Sequence, residues 1–350
     1  MNIENLIQTA AMMKASDIHL IKGLPPKGRI DGKLVSLTQT PLSPRDCIDI
    51  AQQLAGDDFD AIKETGEIDL ARTIAGERVR INLFHQQGYI SGALRILNSR
   101  IPELSSLGLP PAVKTFSSFK KGIILVTGET GSGKSTTLAA LLNQINRTRL
   151  EHIITLEDPI EYIYTPDQCI INQREIGNDT TDYASGLRAS LREDPDIILI
   201  GEMRDQETIE TALTAAETGH LVFATLHTNS AVDSVDRIVN VFPEHRQAQI
   251  RMILSSTMQA VLTQQLLPRA GGQGRAAACE VMIVTPAIRN LIREGKTPQM
   301  YSAMLSSAKE GSITMDNCLL DMAGRGIISP DTAYENCNDK EYMKRKMGMG

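Results

Sequence analysis

The chain has 350 residues, an apolar fraction of 41%, a mean hydropathy of −0.15 and a formal net charge of −6. These values are typical of a soluble globular protein of about two domains, and no segment approaches the roughly 20 apolar residues that span a bilayer. The acidic balance argues against a general nucleic-acid binder, and the few aromatic residues argue against a platform that stacks single strands. Five scattered cysteines form no paired motif, which argues against a zinc module or a disulfide framework.

Residues 1–98 are predicted to form an α+β domain. The start of the chain lacks a basic stretch followed by an apolar core, so we expect no signal peptide and a cytoplasmic location. Apolar periodicity and breaker residues predict helices at Glu4–Lys14 and from Ser43, as N-cap, to Leu54, and strands at Ser16–Ile21, Arg78–Phe84 and Ile90–Leu97.

A proline-rich segment follows and marks a domain junction. Pro102, Gly108, Pro110 and Pro111 fall within ten residues, so we assign 99–112 as a linker and 113–350 as a second domain. Strands and helices alternate in this second domain, which predicts a parallel, doubly wound sheet. The expected strands are 123–127, 152–156, 169–172, 197–200 and 221–226, and the expected helices are 135–146, 182–191 and 206–217. Beyond residue 232 the pattern is mostly helical, with a glycine-rich loop at 271–274 and one short strand at 277–283.

The segment Gly128–Ser135 is a complete phosphate-binding loop between an apolar strand and an amphipathic helix. Its glycines allow backbone N–H groups to surround phosphate oxygens, and the helix N-terminus adds partial positive charge. Lys134 is expected to reach the β- and γ-phosphates and Ser135 to ligate Mg2+. A chance glycine-rich turn is the alternative, and the strand–loop–helix context argues against it. The expected nucleotide contacts in this segment come from Gly128, Thr130, Gly131, Ser132, Gly133, Lys134, Ser135 and Thr136.

Acidic residues follow the C-terminal ends of two further predicted strands. Three of them, Glu157, Asp158 and Glu161, follow the strand at 152–156, and one is a candidate base that orients water for attack on the γ-phosphate. A solvated acidic loop is the alternative. Glu202 follows the apolar strand at 197–200 and is expected to hold a metal-bound water or to orient the attacking water, because ligands gather beyond the carboxyl ends of such strands.

His227 follows a third apolar strand, 221–226. A lone histidine at a strand end is usually only a satisfied polar side chain. Its clustering with the other polar strand ends favours a role in reading the γ-phosphate.

These motifs together resemble the secretion ATPases of type II secretion and type IV pilus systems, most closely their pilus-retraction branch. The resemblance covers nearly the whole chain. It is carried by Ala15–Leu20, the phosphate-binding loop, the acidic motif Thr155–Glu161, the segment Leu191–Asp205, the histidine motif Gly219–Asn229 and the signature Ala287–Glu294.

The resemblance implies a hexameric ring of two-domain subunits with an N-terminal PAS-like domain and a C-terminal RecA-like P-loop NTPase domain. Nucleotide is expected between the domains, with ATP and Mg2+ as cofactors. Glu161 is implied as the catalytic base, Glu202 as support for Mg2+ and water, and His227 as the sensor of the γ-phosphate. The family also supplies arginines from the N-terminal domain to the nucleotide, and Arg78, Arg80 and Arg95 are the candidates; ordinary solvated arginines are the alternative.

Residues 287–294 carry the resemblance to the retraction branch. Ile288, Leu291 and Ile292 form the apolar face of a predicted helix, and Arg289 and Arg293 are four residues apart. An ordinary surface helix has the same pattern, so the resemblance alone implies a coupling role. The expected coupling residues are Ala287, Ile288, Arg289, Asn290, Leu291, Ile292, Arg293 and Glu294.

The expected function is a Mg2+-dependent ATPase that powers pilus retraction from the cytoplasmic side of the inner membrane. Its expected partner is an integral membrane platform protein of the pilus machine, with only indirect action on pilin and no nucleic acid. A secretion or conjugation ATPase, an accessory ring subunit with negligible turnover, and a DNA motor are the alternatives. Relatives of the assembly branch commonly carry a four-cysteine zinc module and a longer N-terminal extension. We expect neither in this protein, which favours retraction. Glu129 stands where relatives often have proline, and its charge is expected to weaken nucleotide affinity or to tune the rate.

Overall fold

The chain, described here by a computed structural model for residues 2–30, 32–97 and 100–348, divides into two compact units. The first unit is Met1–Arg100 together with Pro159–Ile163, and the second is Ile101–Asp158 together with Tyr164–Gly350. The predicted boundary between residues 98 and 99 lies outside the described residues. Nothing in the local sequence pattern indicates that Pro159–Ile163 packs with the first unit, because that association depends on contacts that are distant in sequence.

The first unit contains a six-stranded antiparallel sheet with the strand order β3-β2-β1-β6-β5-β4. Its helices are α1 (Ile3–Met12), α2 (Pro44–Ala55) and α3 (Ala61–Thr65), and its strands are β1 (Asp17–Leu20), β2 (Lys27–Ile30), β3 (Lys33–Ser36), β4 (Glu67–Ile74), β5 (Glu77–Gln86) and β6 (Tyr89–Leu97). The predicted helices and strands are confirmed within a few residues, and Ser43 caps α2 as expected. Strands β2, β3 and β4 are additional to the prediction.

The two faces of this sheet differ in chemistry. Ile18, Leu94 and Ile81 lie opposite one another on β1, β6 and β5, and all are buried with the apolar sides of α1 and α2. The neighbouring register row is Asp17, Arg95 and Arg80. Because successive residues of a strand point to opposite faces, this charged row lies on the face away from the apolar core.

The second unit contains a seven-stranded sheet with the order β13-β12-β7-β11-β10-β8-β9. Its strands are β7 (Gly122–Thr127), β8 (His152–Glu157), β9 (Ile170–Glu175), β10 (Ile197–Ile200), β11 (Leu221–Leu226), β12 (Met258–Pro268) and β13 (Arg275–Ile283). Its helices are α4 (Lys134–Asn146), α5 (Tyr183–Ser190), α6 (Gln206–Glu217), α7 (Ala231–Asn240), α8 (Glu244–Thr257), α9 (Pro286–Glu294), α10 (Met300–Ser306), α11 (Met315–Gly324), α12 (Pro330–Asn336) and α13 (Lys340–Met347).

Six strands of this sheet are parallel, and β13 returns antiparallel to β12. The mixed α/β class and the predicted alternation are therefore confirmed. The prediction of a mostly helical region beyond residue 232 is wrong for 258–268, which form the eleven-residue strand β12. Strand β12 begins directly where α8 ends, at Met258, with no glycine or proline to mark the change.

Two apolar layers flank and extend the parallel sheet. One large core packs β7, β10 and β11 against α6, α7, α8 and α9. A smaller core joins the ends of β12 and β13 to helices α11–α13 through residues such as Leu267, Met315, Leu319 and Met343. All five cysteines are buried and unpaired. Among the described residues, no helix is long and apolar enough to cross a membrane.

Candidate functional site

The candidate site of the second unit lies at the carboxyl edge of its parallel sheet. The last residue of β7, Thr127, pairs with Leu226 at the end of β11, and Ile200 at the end of β10 pairs with Leu156 on β8. The loops that follow these strands therefore emerge at one edge, where α/β sheets bind their ligands. This edge carries the phosphate-binding loop, Glu157, Glu202 and His227.

Backbone geometry explains the first glycine of the phosphate-binding loop. Gly128 has φ of +136°, and a Cβ there would lie 2.3 Å from the backbone oxygen of Gln264 on β12. Any side chain would therefore force the loop away from the neighbouring strand. Gly133 also has positive φ and immediately precedes the first residue of α4. The loop consequently ends at the N-terminus of a 13-residue helix, where backbone N–H groups and the helix dipole favour an anion.

The charged and hydroxyl groups of the loop surround this helix terminus. The Nζ of Lys134 donates to the backbone oxygens of Gly128 and Glu129 at 2.7 and 3.0 Å, so the ammonium lies over the loop itself. Ser135 is exposed in the first turn of α4. Ser132 is buried, and its Oγ has no hydrogen-bond partner within the described part of the chain.

Glu202 and His227 meet beyond the ends of β10 and β11. The Nε2 of His227 lies 3.2 Å from Oε1 of Glu202, and the Arg204 guanidinium lies 2.7 Å from Oε2. Burial by itself would raise the pKa of Glu202, but the hydrogen bond from Arg204 and the charges of His227 and Arg204 outweigh it and lower the pKa below its ordinary value. Glu202 is therefore a carboxylate at neutral pH.

Polar contacts fix the strand ends that present this pair. The Thr225 hydroxyl donates to the backbone oxygen of Gly201 at 2.5 Å, and the N–H of Gly201 donates to Leu156 at 2.8 Å. A Cβ on Gly201 would lie 2.8 Å from the Tyr183 hydroxyl. Burial, followed by the charges of Asp158, Glu202 and Glu157, raises the pKa of Tyr183, so its hydroxyl stays protonated. Thr225, Tyr183 and Arg204 were not singled out from sequence; the motifs around 202 and 227 contain two of them.

The three acids of the motif at 155–161 have different surroundings. Oε1 of Glu157 accepts hydrogen bonds from the Thr155 hydroxyl at 2.6 Å and from Gln173 at 3.2 Å, whereas Asp158 is exposed. Glu161 is half-buried and belongs to the short segment that packs with the first unit. The acidic motif therefore divides between the two units at the bond from Asp158 to Pro159.

The three candidate arginines of the first unit are all engaged within that unit. Arg80 forms an ion pair with Asp69 at 2.5 Å, and Arg95 forms one with Asp17 at 2.9 Å. Both pairs are partly exposed. Arg78 is only 9% exposed, and its Nε donates to the backbone oxygen of Ile160 at 3.0 Å. Arg78 thus binds the backbone next to Glu161.

Glu129 contacts the histidine motif. The side-chain amide of Asn229 donates to Oε1 of Glu129 at 3.4 Å, which links the phosphate-binding loop to the loop after His227. Beside this contact lies a polar cavity of about 280 Å3, lined by residues that include Glu129, Ser132, Asn229, Gln264, Arg275 and Asn336.

Helix α9 contains the predicted coupling residues. Ile288 and Ile292 are fully buried, and the Thr285 hydroxyl caps the helix. Arg289 donates to the backbone oxygens of Ser255 and Ser256 at the end of α8, at 2.8 and 3.1 Å, whereas Arg293 is exposed. The two arginines therefore differ: one holds α8 to α9, and the other is open to solvent.

The oxygen-rich set at this edge fits a hard divalent cation. Ser135 offers a hydroxyl and Glu202 a carboxylate that is ionised at neutral pH, and Mg2+ prefers such ligands together with water and substrate phosphates. Among the described residues, no cluster of three or more histidine, cysteine or acidic side chains forms a complete protein cage for a metal. The donors therefore suit a cation shared with a bound phosphate.

Comparisons with known proteins agree with this architecture. The chain is 45% identical over 346 residues to the type IV pilus retraction ATPase PilT of Pseudomonas aeruginosa, covering 97% of this chain and 99% of that protein. It is 39% identical over 344 residues to a twitching motility protein of Neisseria gonorrhoeae, covering 98% and 92%. A crystal structure of the pilus retraction motor PilT with bound ADP superposes with a TM-score of 0.93 at 47% identity, covering 99% of both chains.

A family model extends the same conclusion along the sequence. The model described as "Type II/IV secretion system protein" matches residues 1–329, which include every candidate site residue named above. The chain belongs to the type II/IV secretion system protein family.

Proposed function

We propose that this protein is an ATP-hydrolysing ring motor that powers type IV pilus retraction. The observation that carries the proposal is the contact of His227 with Glu202 at the edge that also bears a complete phosphate-binding loop. The near full-length similarity to a pilus retraction ATPase and to a twitching motility protein supports the biological setting.

Binding follows from the loop and the helix behind it. The backbone N–H groups of Gly128–Ser135 and the N-terminus of α4 attract the phosphates, and Lys134 adds a full positive charge. The contacts of Lys134 with the carbonyls of Gly128 and Glu129 keep its ammonium at the loop. Ser135 and Glu202 are the residues that would hold Mg2+, which when bound neutralises charge on the transferred phosphoryl group.

Hydrolysis requires a positioned water and a group that accepts its proton. We assign Glu161 as the base, with Glu202 orienting water on the side of the metal. Glu202 enters this role as an anion because its pKa is lowered. His227 contacts Glu202 directly, so a change at the γ-phosphate can reach the loop after β11 through this pair.

The work step requires a ring and a partner. We propose a homo-hexamer that acts from the cytoplasmic face of the inner membrane on an integral membrane platform protein, and on pilin only through that protein. Arg80 and Arg95 would contact nucleotide after exchanging their ion-pair partners for phosphate oxygens. In α9 the exposed residues Asn290 and Arg293 are available for coupling, whereas Ile288 and Arg289 hold the helix in place.

Steady-state phosphate release tests the proposal. We expect release that depends on both ATP and Mg2+ and that is abolished by Lys134→Ala. Lys114→Ala is the control that retains activity, because Lys114 is an exposed lysine that precedes β7. No Mg2+-dependent release above the Lys134→Ala background would favour the accessory-subunit alternative. Stimulation of turnover by DNA would favour the DNA-motor alternative.

Complementation tests the biological role. We expect the wild-type chain, but not its Lys134→Ala variant, to restore twitching to a Pseudomonas aeruginosa strain that lacks its own retraction ATPase. Restoration of protein secretion in a strain that lacks its type II secretion ATPase, without restoration of twitching, would favour the secretion alternative.

A further inference from the structure

Glu280 on β13 is a buried carboxylate that the mechanism above does not use. It is 2% exposed. Its Oε1 accepts a hydrogen bond from the backbone N–H of Ala231 at 2.7 Å, and its Oε2 accepts one from the backbone N–H of Met315 at 3.2 Å. Ala231 and Met315 are the first residues of α7 and α11. The Glu280 carboxylate thus accepts one N–H group from the N-terminus of each of two helices, and a helix N-terminus favours a negative charge.

Helix α7 begins immediately after the loop that carries His227. The loop is braced on the first turn of this helix: the hydroxyls of Thr228 and Ser234 lie 2.6 Å apart, and the Ser234 hydroxyl donates to the backbone oxygen of Ser230 at 2.7 Å. Ser234 is fully buried. The position of His227 therefore depends on where the first turn of α7 is held.

The other oxygen of Glu280 leads to the C-terminal helices. Met315 is fully buried and belongs to the same apolar cluster as Leu319 and Met322 of α11 and Met343 of α13. A continuous series of contacts consequently runs from Glu202 to His227, through the braced loop to α7, and through Glu280 to α11.

We propose that Glu280 is a positioning residue for His227: it holds the first turn of α7 and ties that turn to the C-terminal helices, so that His227 stays within reach of Glu202. The kinetic consequence of this role rests on the proposed ATPase function. The geometry makes the effect specific, since a buried N–H group that loses its acceptor must find a new partner or become solvated, and either change moves the helix start.

Asp316 provides a matched control on the next residue of α11. It is 1% exposed, and its two oxygens accept backbone N–H groups of Asn338 and Asp339 at 2.7 and 3.1 Å. It is therefore also a buried carboxylate with two backbone donors. Its donors lie at the start of α13, away from the loop that carries His227.

The kinetic experiment compares Glu280→Gln with Asp316→Asn. An amide keeps the size of the carboxyl group but offers one acceptor oxygen in place of two. We expect Glu280→Gln to lower kcat about tenfold, the effect of roughly one lost hydrogen bond, with KM changed less than about twofold, and Asp316→Asn to leave both within about twofold. In a His227→Ala background, the further loss from Glu280→Gln should shrink below about twofold.

A purely structural role predicts other results. Equal loss of kcat in the two variants at equal loss of thermal stability would overturn the proposal, as would a full tenfold loss in the His227→Ala background. If Glu280→Gln does not fold, Ser234→Ala tests the same series of contacts, because it removes the hydroxyl that bonds to Thr228 and Ser230. It should lower kcat severalfold with the same non-additivity, and additivity there would also overturn the proposal.

Amide hydrogen exchange separates this proposal from the proposed function. We expect Glu280→Gln to accelerate exchange in peptides that span 227–240, and Asp316→Asn to accelerate it in peptides that span 336–347 only. This readout needs no turnover. If the wild-type chain releases no phosphate, the ATPase proposal fails while the exchange pattern still tests the positioning role; unchanged exchange at 227–240 in Glu280→Gln would refute that role.

Discussion

The antiparallel sheet of the first unit and the parallel sheet of the second both collect charged side chains, but they do so in different places. In the first unit, the charged residues Asp17, Arg95 and Arg80 lie side by side on β1, β6 and β5, in the middle of the strands and on one sheet face. In the second, β10 is wholly apolar and β11 is apolar except for Thr225, and the charged residues Glu202 and His227 follow only at the strand ends.

This difference affects what each charge can do. The face of the first unit's sheet that points away from the apolar core is called the open face. Its ion pairs are exposed, with Arg80 and Asp69 each 45% accessible, so solvent screens them and each pair contributes little stability. At the parallel edge the Glu202 side chain is 17% accessible and its charge is held by fixed partners. Chemistry that depends on one oriented group is therefore expected at the parallel edge, and adaptable charge recognition on the open face.

The largest expected effect tests the parallel edge. Glu202→Gln should lower kcat by about 10²- to 10⁴-fold while ATP affinity changes less than about tenfold, because it removes a positioned anion but keeps the side chain's size. Glu217→Gln, an exposed acid at the end of α6, is the control and should stay within about twofold. Phosphate release and nucleotide binding measure the two quantities. A Glu202→Gln enzyme that keeps more than about a tenth of its kcat would contradict the assignment.

The next effect concerns Arg78, a buried arginine of the first unit. Arg78→Ala removes the hydrogen bond from Nε of Arg78 to the Ile160 carbonyl, which should cost about 2 kcal/mol locally and accelerate amide exchange across 159–163 by about 30-fold. Arg72→Ala removes an exposed ion pair with Asp58 and a 3.3 Å hydrogen bond to the Ala55 carbonyl, and it should change exchange across 159–163 less than about fivefold. Equal exchange in both variants would show that Arg78 does not hold this segment.

A smaller effect asks whether the open face recognises phosphate. Arg80→Ala and Arg95→Ala should each raise KM for ATP about tenfold, the loss of one charge-assisted hydrogen bond, with little loss of stability. Arg72→Ala is again the matched control, because Arg72 forms the same kind of exposed pair on β4 but is not a candidate ligand. The assignment fails if the three variants have the same KM.

The smallest effect concerns the charge inside the phosphate-binding loop. Glu129→Gln keeps an acceptor for Asn229 and removes a negative charge, so KM for ATP should fall about two- to fivefold. The fall should diminish as ionic strength rises, because an exposed charge is screened by salt. A rise in KM would mean that the Glu129–Asn229 contact matters more than the charge.

Much of the parallel sheet could be predicted because its signals are local. Helix 206–217 and strands 197–200 and 221–226 have the predicted limits, since each is a clean apolar run or stripe between breakers. Strand β12 could not be separated from α8 in this way. Its buried sequence lacks alternation, and Met258 ends the helix and begins the strand.

The site was predictable in its residue types and less so in its supports. The glycine loop and the acids at strand ends can be recognised from their local sequence. The hydrogen bond from Arg78 to Ile160 cannot, because it joins residues 82 positions apart. Glu280 had one unused signal: it is the only charged residue within the apolar run Ala276–Ile283. A lone acid in a buried strand requires donors, but the sequence does not indicate which helices supply them.

The placement of Pro159–Ile163 with the first unit has a consequence for dissecting the protein. The chain passes between the two units three times, after Arg100, Asp158 and Ile163. Ile160 and Tyr162 are both buried. A fragment that begins at residue 101 would therefore carry the segment Pro159–Ile163 without the rest of the unit to which it belongs. Neither unit can be excised by a single cut, and a faithful first-unit fragment needs residues 159–163 restored to it, for example as an added peptide.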